Sequence, residues 1–382
     1  MSSLRNGLIA AVVALAMPIT DTRADEFPRF VGELSVEFQN DWTYDSDDPA
    51  NELNDLFTTT EADLNFFVTK EFFINLHLTL EPVEDPDPGD DRFFEDHGLY
   101  VETFNASYET DEFYVFGGKF NPNFSLAFDA APGIYGTDLA EDDIEISERI
   151  GFGGGIAFGD DGLVPLGSGN VGRHVLSASL YFADTSVFTG SILENRDKVE
   201  ESDGGPSNTE SLESFTVALD GEAIPALPGF RYQLAFARQE VERVLDDDGN
   251  PETDIDDEYR LSAAAEWAVE VNQQLTITPL VEFVRFWNAG GLGSEDRNYL
   301  TASALTEYGP WNLALSYTGR FIDNDAGSDF DDFQFQVSGG YTFENGLQTD
   351  VGWKIRDEAN IESQTFGAFL TYVFEFDEGL GI

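Results

Sequence analysis

Phe366-Gly-Ala-Phe-Leu-Thr-Tyr-Val-Phe-Glu-Phe376 places a large apolar or aromatic residue, with one alanine, at every second position. The chain that contains it carries a formal charge of -55. Successive side chains of a β-strand point to opposite faces, so strict alternation gives a ribbon with one apolar side. The same pattern recurs upstream. In Phe30–Tyr44, Phe30, Leu34, Val36, Phe38, Trp42 and Tyr44 share one parity, whereas Glu33, Ser35, Glu37, Gln39 and Asp41 share the other. Phe72–Glu81 sets Phe72, Ile74, Leu76, Leu78 and Leu80 against Asn75, His77, Thr79 and Glu81.

Connectors alternate as the strands do. Short ones (Thr69–Glu71, Thr110–Glu112, Val271–Gln273, Gly309-Pro310, Glu344–Gly346) take turns with long acidic ones (Asp45–Asp55, Pro82–His97, Asn121–Asp143, Asp184–Ser211, Glu240–Glu258, Asp323–Asp331). Gly159–Gly172 is the main exception on the short side. Hairpins built this way have their two kinds of end on opposite sides of something. The pattern predicts about 16 strands of the roughly ten residues that cross a tilted bilayer. A soluble antiparallel sandwich also alternates on one side. The leader described next and the two connector lengths favour an all-β, closed, transmembrane antiparallel barrel, which leaves no unpaired edge in lipid.

Arg5, the apolar run Gly7–Ile19 and Thr22-Arg-Ala24 form a secretory leader over residues 1–24, with Ala14-Leu-Ala16 as the competing cleavage point. The expected organisation is leader 1–24, barrel 25–376 and a short tail 377–382. Removing the leader makes the chain one unit more negative. That charge argues against nucleic acid as a partner, since phosphate binding needs the opposite sign. Zero cysteines exclude a disulfide scaffold and any thiolate metal site or nucleophile. No cofactor and no metal site is expected. The acidic run Asp246–Glu258 fails the calcium-loop pattern because Val244 stands five before Gly249. Catalysis finds no motif: His77, His97 and His174 lie near no G-x-S-x-G, and the chain is read as a non-enzyme.

Thr365–Tyr372, continued in phase by Phe374 and Phe376, resembles the C-terminal insertion signal of bacterial outer-membrane barrels. Its matching residues are Gly367, Leu370, Tyr372, Phe374 and Phe376. The resemblance implies recognition by the barrel-assembly machinery. The six residues after Phe376 depart from the usual aromatic end.

The run from Gly117-Gly-Lys-Phe-Asn-Pro through Ala131-Pro-Gly-Ile-Tyr-Gly-Thr-Asp138 to Glu148-Arg-Ile-Gly-Phe-Gly153 resembles Gram-negative outer-membrane porins, in particular an alphaproteobacterial type. It joins the fifth strand to the sixth and is the third long loop. The resemblance implies that this loop folds inward as a constriction, with acids Asp129, Asp138, Glu141, Asp142 and Asp143 facing a basic wall. Lys119 and Arg149 are the wall candidates, read as inward by parity, with structural pairing to wall acids as the other reading. The alternative reading of the loop acids is as turn and helix-capping residues. Arg231, Arg260, Arg320, Lys354 and Arg356 are further inward cations. A loop carrying Phe124, Leu126, Phe128, Ile134 and Tyr135 is too apolar for one that stands in solvent.

The function expected from this reading is passive diffusion of small hydrophilic solutes and ions across the bacterial outer membrane, mildly cation-preferring because of the acidic mouth. An anion- or phosphate-selective pore and a closed barrel acting as adhesin or envelope anchor are the alternatives. Membrane lipid, lipopolysaccharide and, by resemblance, a homotrimer are the expected partners.

Overall fold

The computed structural model describes residues 27–160, 171–196, 199–200, 203–242, 255–325 and 327–379. The leader 1–24, most of the acidic run 246–258 and residues 380–382 lie outside the described residues.

Sixteen strands among the described residues form one closed antiparallel wall. They are β1 (Arg29–Ser46), β2 (Asn54–Phe67), β3 (Phe72–Pro82), β4 (His97–Glu109), β5 (Phe113–Phe120), β6 (Arg149–Gly159), β7 (Arg173–Ala183) and β8 (Ser214–Glu222). The second half continues with β9 (Phe230–Gln239), β10 (Glu258–Trp267, prolonged by Val269–Asn272), β11 (Leu275–Trp287) and β12 (Glu295–Tyr308). It ends with β13 (Trp311–Asn324), β14 (Phe330–Thr342), β15 (Gln348–Glu358) and β16 (Ile361–Gly379). Each pairs with its chain neighbours, and β16 closes on β1 from Arg29↔Gly379 to Ser46↔Ser363. Among the described residues, no helix is long and apolar enough to cross a membrane.

Why these residues form this cylinder follows from the two parities. The outer positions expose Phe38, Trp42, Phe283, Leu315, Phe366 and Phe374, while the inner positions bury Ser35, Glu37, Gln233, Gln334 and Gln336. An apolar outside around a polar inside inverts a soluble sandwich, whose apolar faces meet each other.

Two details differ from expectation. The last strand does not stop at Phe376: it runs to Gly379, with Asp377 opposite Val31 and its carboxylate bonded to Arg29. The supposed tail is therefore wall as far as it is described, because a basic partner on β1 continues the ladder. On the long-connector side, β15 and β16 are joined by only Ala359 and Asn360, both at positive φ (53° and 61°), as a type I′ hairpin turn requires.

The wall is thin at one place. Pairing between β4 and β5 starts at Phe104↔Lys119, so the Gly98–Thr103 stretch of β4 has no partner from β5. The connector after β7 returns to fill this position: Ile192 and Leu193 pair with Leu99 and Gly98. We call residues 184–196 the strap.

Candidate functional site: the lumen and the segment 121–148

The segment that leaves β5 and returns as β6 is held by inward-facing side chains from much of the cylinder. Asn123 donates to Asp220 of β8 (3.0 Å) and accepts from Gln233 of β9 (2.7 Å). Glu282 of β11 is buried and accepts from Ser125 Oγ (2.7 Å) and from the backbone N–H groups of Leu126 (2.8 Å) and Ala127 (2.9 Å). Gln336 of β14 donates to the Pro132 carbonyl, Ser316 of β13 to the Gly136 carbonyl, and the Tyr135 hydroxyl donates to Asp41 of β1 (3.1 Å).

Its apolar residues are spent on the same contacts. Phe124, Ile144 and Ile146 pack with Tyr181, Phe286 and Tyr299; Leu126 packs with Ala264 and Leu280; Ile134 and Tyr135 pack with Phe369. Two glycines are required by this closeness. At Gly133 (φ +96°) a Cβ would come within 2.4 Å of the Gln336 amide, and at Gly367 within 2.3 Å of the Tyr135 hydroxyl. Gly367, expected as part of the insertion signal, thus faces inward beneath Tyr135, whereas Leu370, Tyr372 and Phe374 share a face with Phe38, Val36 and Leu34. Phe376 stacks on Phe30.

Two acids of the segment sit directly on wall cations. Asp143 contacts Arg297 (2.6 Å), Arg320 (3.0 Å) and the Tyr299 hydroxyl (2.7 Å). Asp138 contacts Lys354 at 2.7 Å, with Arg356 at 3.8 Å. Burial works to raise both carboxyls, but the facing cations outweigh it: Asp138 is held down at about 2, and Asp143 below the usual carboxylate range. Asp129 lies half-buried in the helical turn Ala127–Ala130. Glu141 and Asp142 begin the turn Glu141–Ile144, and their side chains lie outside the described residues.

Of the predicted inward cations, Arg260 donates to the Ile144 carbonyl (3.0 Å) and pairs with Glu258, while Arg231 pairs bidentately with Glu266. Arg149 keeps the inner face, opposite Phe120, and donates to the Ser147 carbonyl (2.6 Å). Arg297 escaped the sequence reading.

Lys119 has to be moved off the lumen wall. Its register partner is Phe104, which shares the outer face with Leu76. Its amine lies 2.7 Å from Glu148, 3.0 Å from the fully buried Asp184 and 2.9 Å from the Phe188 carbonyl. Arg196 reaches the same Glu148 at 2.5 Å. Lys119 therefore ties the strap to the base of the segment. The histidines are also in structural surroundings: His97 accepts from the Thr58 N–H, and His174 stacks on Phe158 and meets the Tyr232 hydroxyl.

Among solved structures, the fold is similar to that of Salmonella typhi OmpF in complex with daunomycin. The likeness has a TM-score of 0.58 at 12% identity and covers 90% of this chain and 97% of that one. It is similar to Pseudomonas putida OprB at high pH (0.58, 9% identity, 90% and 94%). It is also similar to the outer membrane channel DcaP of Acinetobacter baumannii (0.53, 12% identity, 90% and 96%). No protein-family model and no curated protein matches the chain. What these likenesses establish is the architecture: the chain has the closed 16-strand antiparallel barrel of porins.

Proposed function

We propose that the chain is an outer-membrane porin, a non-enzymatic and cofactor-free channel for passive diffusion of small hydrophilic solutes and ions, with a mild preference for cations. The observation that supports it best is the inside of the cylinder: polar side chains line it, and the segment 121–148 is bonded across it to β8–β15, with further contacts to Glu102 of β4, Phe369 of β16 and Asp41 of β1. In this reading the segment is the inward-folded third loop, and the space it leaves beside β1–β3 and the short-turn end of β16 is the path.

Leader 1–24 exports the chain. Leu370, Tyr372, Phe374 and Phe376 present it to the barrel-assembly machinery, and lipid with lipopolysaccharide surrounds the outer face. The alphaproteobacterial affinity rests on the Gly117–Gly153 motif. Assembly as a homotrimer follows the porin resemblance, and one similar structure, OmpT of Vibrio cholerae, is described in a trimer form. Because Asp138 and Asp143 neutralise Lys354, Arg297 and Arg320, the basic side of the lumen has little charge left to select anions or phosphate.

Purified protein in planar bilayers should give discrete conductance steps, and liposomes containing it should swell in small sugars. Absence of both would leave the closed barrel, an adhesin or anchor, as the function.

A further inference from the structure

The inner wall is electrically two-sided. On β10–β15 the inward cations meet carboxylates of the segment or of neighbouring strands. On β1, β2 and β16 acids paired with arginine are confined to the strand ends, where Arg29 holds Asp377 and Arg92 holds Asp55, and between them carboxylates face one another. Glu33 lies directly opposite Asp63 on one side and Glu375 on the other, and Glu61 lies opposite Ser35 one step further along β1. Like charges directly opposite one another on one face of a sheet destabilise it.

Among the described residues, no lysine, arginine or histidine forms an ion pair with Glu33, Glu61 or Glu375; Asp63 has His77 at 3.8 Å and accepts from Asn65 and Asn75. A second observation points the same way. Ser35, inward between Glu33 and Glu37, is 3% exposed, and its hydroxyl has no partner among the described residues; the Thr371 hydroxyl, opposite Glu37, is 5% exposed and likewise has none among them. Buried hydroxyls are nearly always bonded. Hydroxyl and carboxylate oxygens together are the donor set that hard cations take.

We propose that Glu33, Glu61, Asp63 and Glu375, with the Ser35 and Thr371 hydroxyls, form a cation-binding wall that passing small inorganic cations occupy in transit. This wall supplies the attraction for cations, while the loop acids cancel the basic residues that face them. The proposal rests on the channel reading. No group of acids among the described residues is compact enough to hold a metal ion tightly. A permeation site needs that looseness, because an ion held firmly does not leave. Glu33 lies four residues from the start of β1, at the end of the cylinder that carries the short turn between β2 and β3. The wall is therefore closer to that mouth.

The test is the reversal potential in a KCl gradient, combined with block by added CaCl2, for full-length protein and two variants. One is Glu33→Gln/Glu61→Gln/Glu375→Gln. The other, Asp85→Asn/Asp87→Asn/Asp90→Asn, removes the same charge from an exposed connector. The wall variant should lose at least about threefold of the K+/Cl− permeability ratio and need about tenfold more Ca2+ for half-block, whereas the connector variant should stay near wild type. Unmodified protein should be blocked at lower Ca2+ from the short-turn side, a measurement that depends on no variant folding. A wall variant that matches wild type, or block indifferent to side, overturns the wall while leaving the channel intact. A wild-type protein without conductance steps overturns the channel reading itself.

Discussion

Arg320 and Asp143 lie 3.0 Å apart, joining β13 to the segment 121–148, and Arg320 also holds Asp332 and Glu358. One guanidinium thus fixes both the loop and the wall on which it rests. Truncating one member of such a network leaves the others desolvated and unpaired. Asp143→Asn should lower stability in detergent by about 2–4 kcal/mol, somewhat less than the roughly 3–5 kcal/mol of a fully buried pair because Asp143 is partly exposed. It should also raise anion permeability, because Arg297 and Arg320 lose their counter-charge. Thermal melting and reversal potential on the same preparation check both parts.

The loop contacts also set a pH window. Asp138 and Asp143 have folded-state pKa values below their unfolded ones, so the stability they contribute is complete above about 4. It is lost as pH falls through the folded values, near 2 for Asp138. Conductance should be steady from pH 7 to about 4 and become noisy between about 4 and 2 as the loop loosens. A transition centred above pH 5 would contradict this assignment.

Glu282 gathers three donors from the start of the helical turn Ala127–Ala130. Glu282→Ala strands two backbone N–H groups in a buried place, each worth about 1–3 kcal/mol when unsatisfied. The loop should become sensitive to protease near residue 126 while the strands stay protected. Glu282→Gln, which keeps an acceptor oxygen, should restore part of the resistance.

Tyr135 and Gly367 offer a paired test. Gly367→Ala drives a Cβ against the Tyr135 hydroxyl and should cost the Asp41 bond. Removing that hydroxyl with Tyr135→Phe should relieve the double variant, giving a melting temperature above that of Gly367→Ala alone. Additive losses would place the clash elsewhere.

Lys119→Met should be costly to stability and silent in selectivity. It leaves Glu148 and the fully buried Asp184 facing each other with only Arg196 nearby, a loss of about 3–5 kcal/mol by analogy with broken buried pairs. A changed reversal potential with unchanged melting would return Lys119 to the pore.

The sequence carried the cylinder because alternation is local: each strand announces its two faces in its own residues. It failed on β5 for the same reason. Phe113-Tyr-Val-Phe-Gly-Gly-Lys-Phe120 has aromatics on both parities, and only packing reveals that Phe116 and Phe120 turn inward onto the loop cluster while Lys119 turns out. The apolar character of 121–148 was readable, but its partners were not. Asp143 meets Arg297 and Arg320 across more than 150 residues, and no spacing rule spans that interval. Arg297 sits near the start of β12, where few periodic neighbours exist to assign it a face.

The strap has a bearing on assembly. When a loop departs from a cylinder it leaves a breach, and here the polypeptide mends its own breach with Ile192 and Leu193 before any neighbour arrives. The wall is closed at Gly98 and Leu99 by the chain's own residues, so a single copy should already hold a seal there without a neighbour.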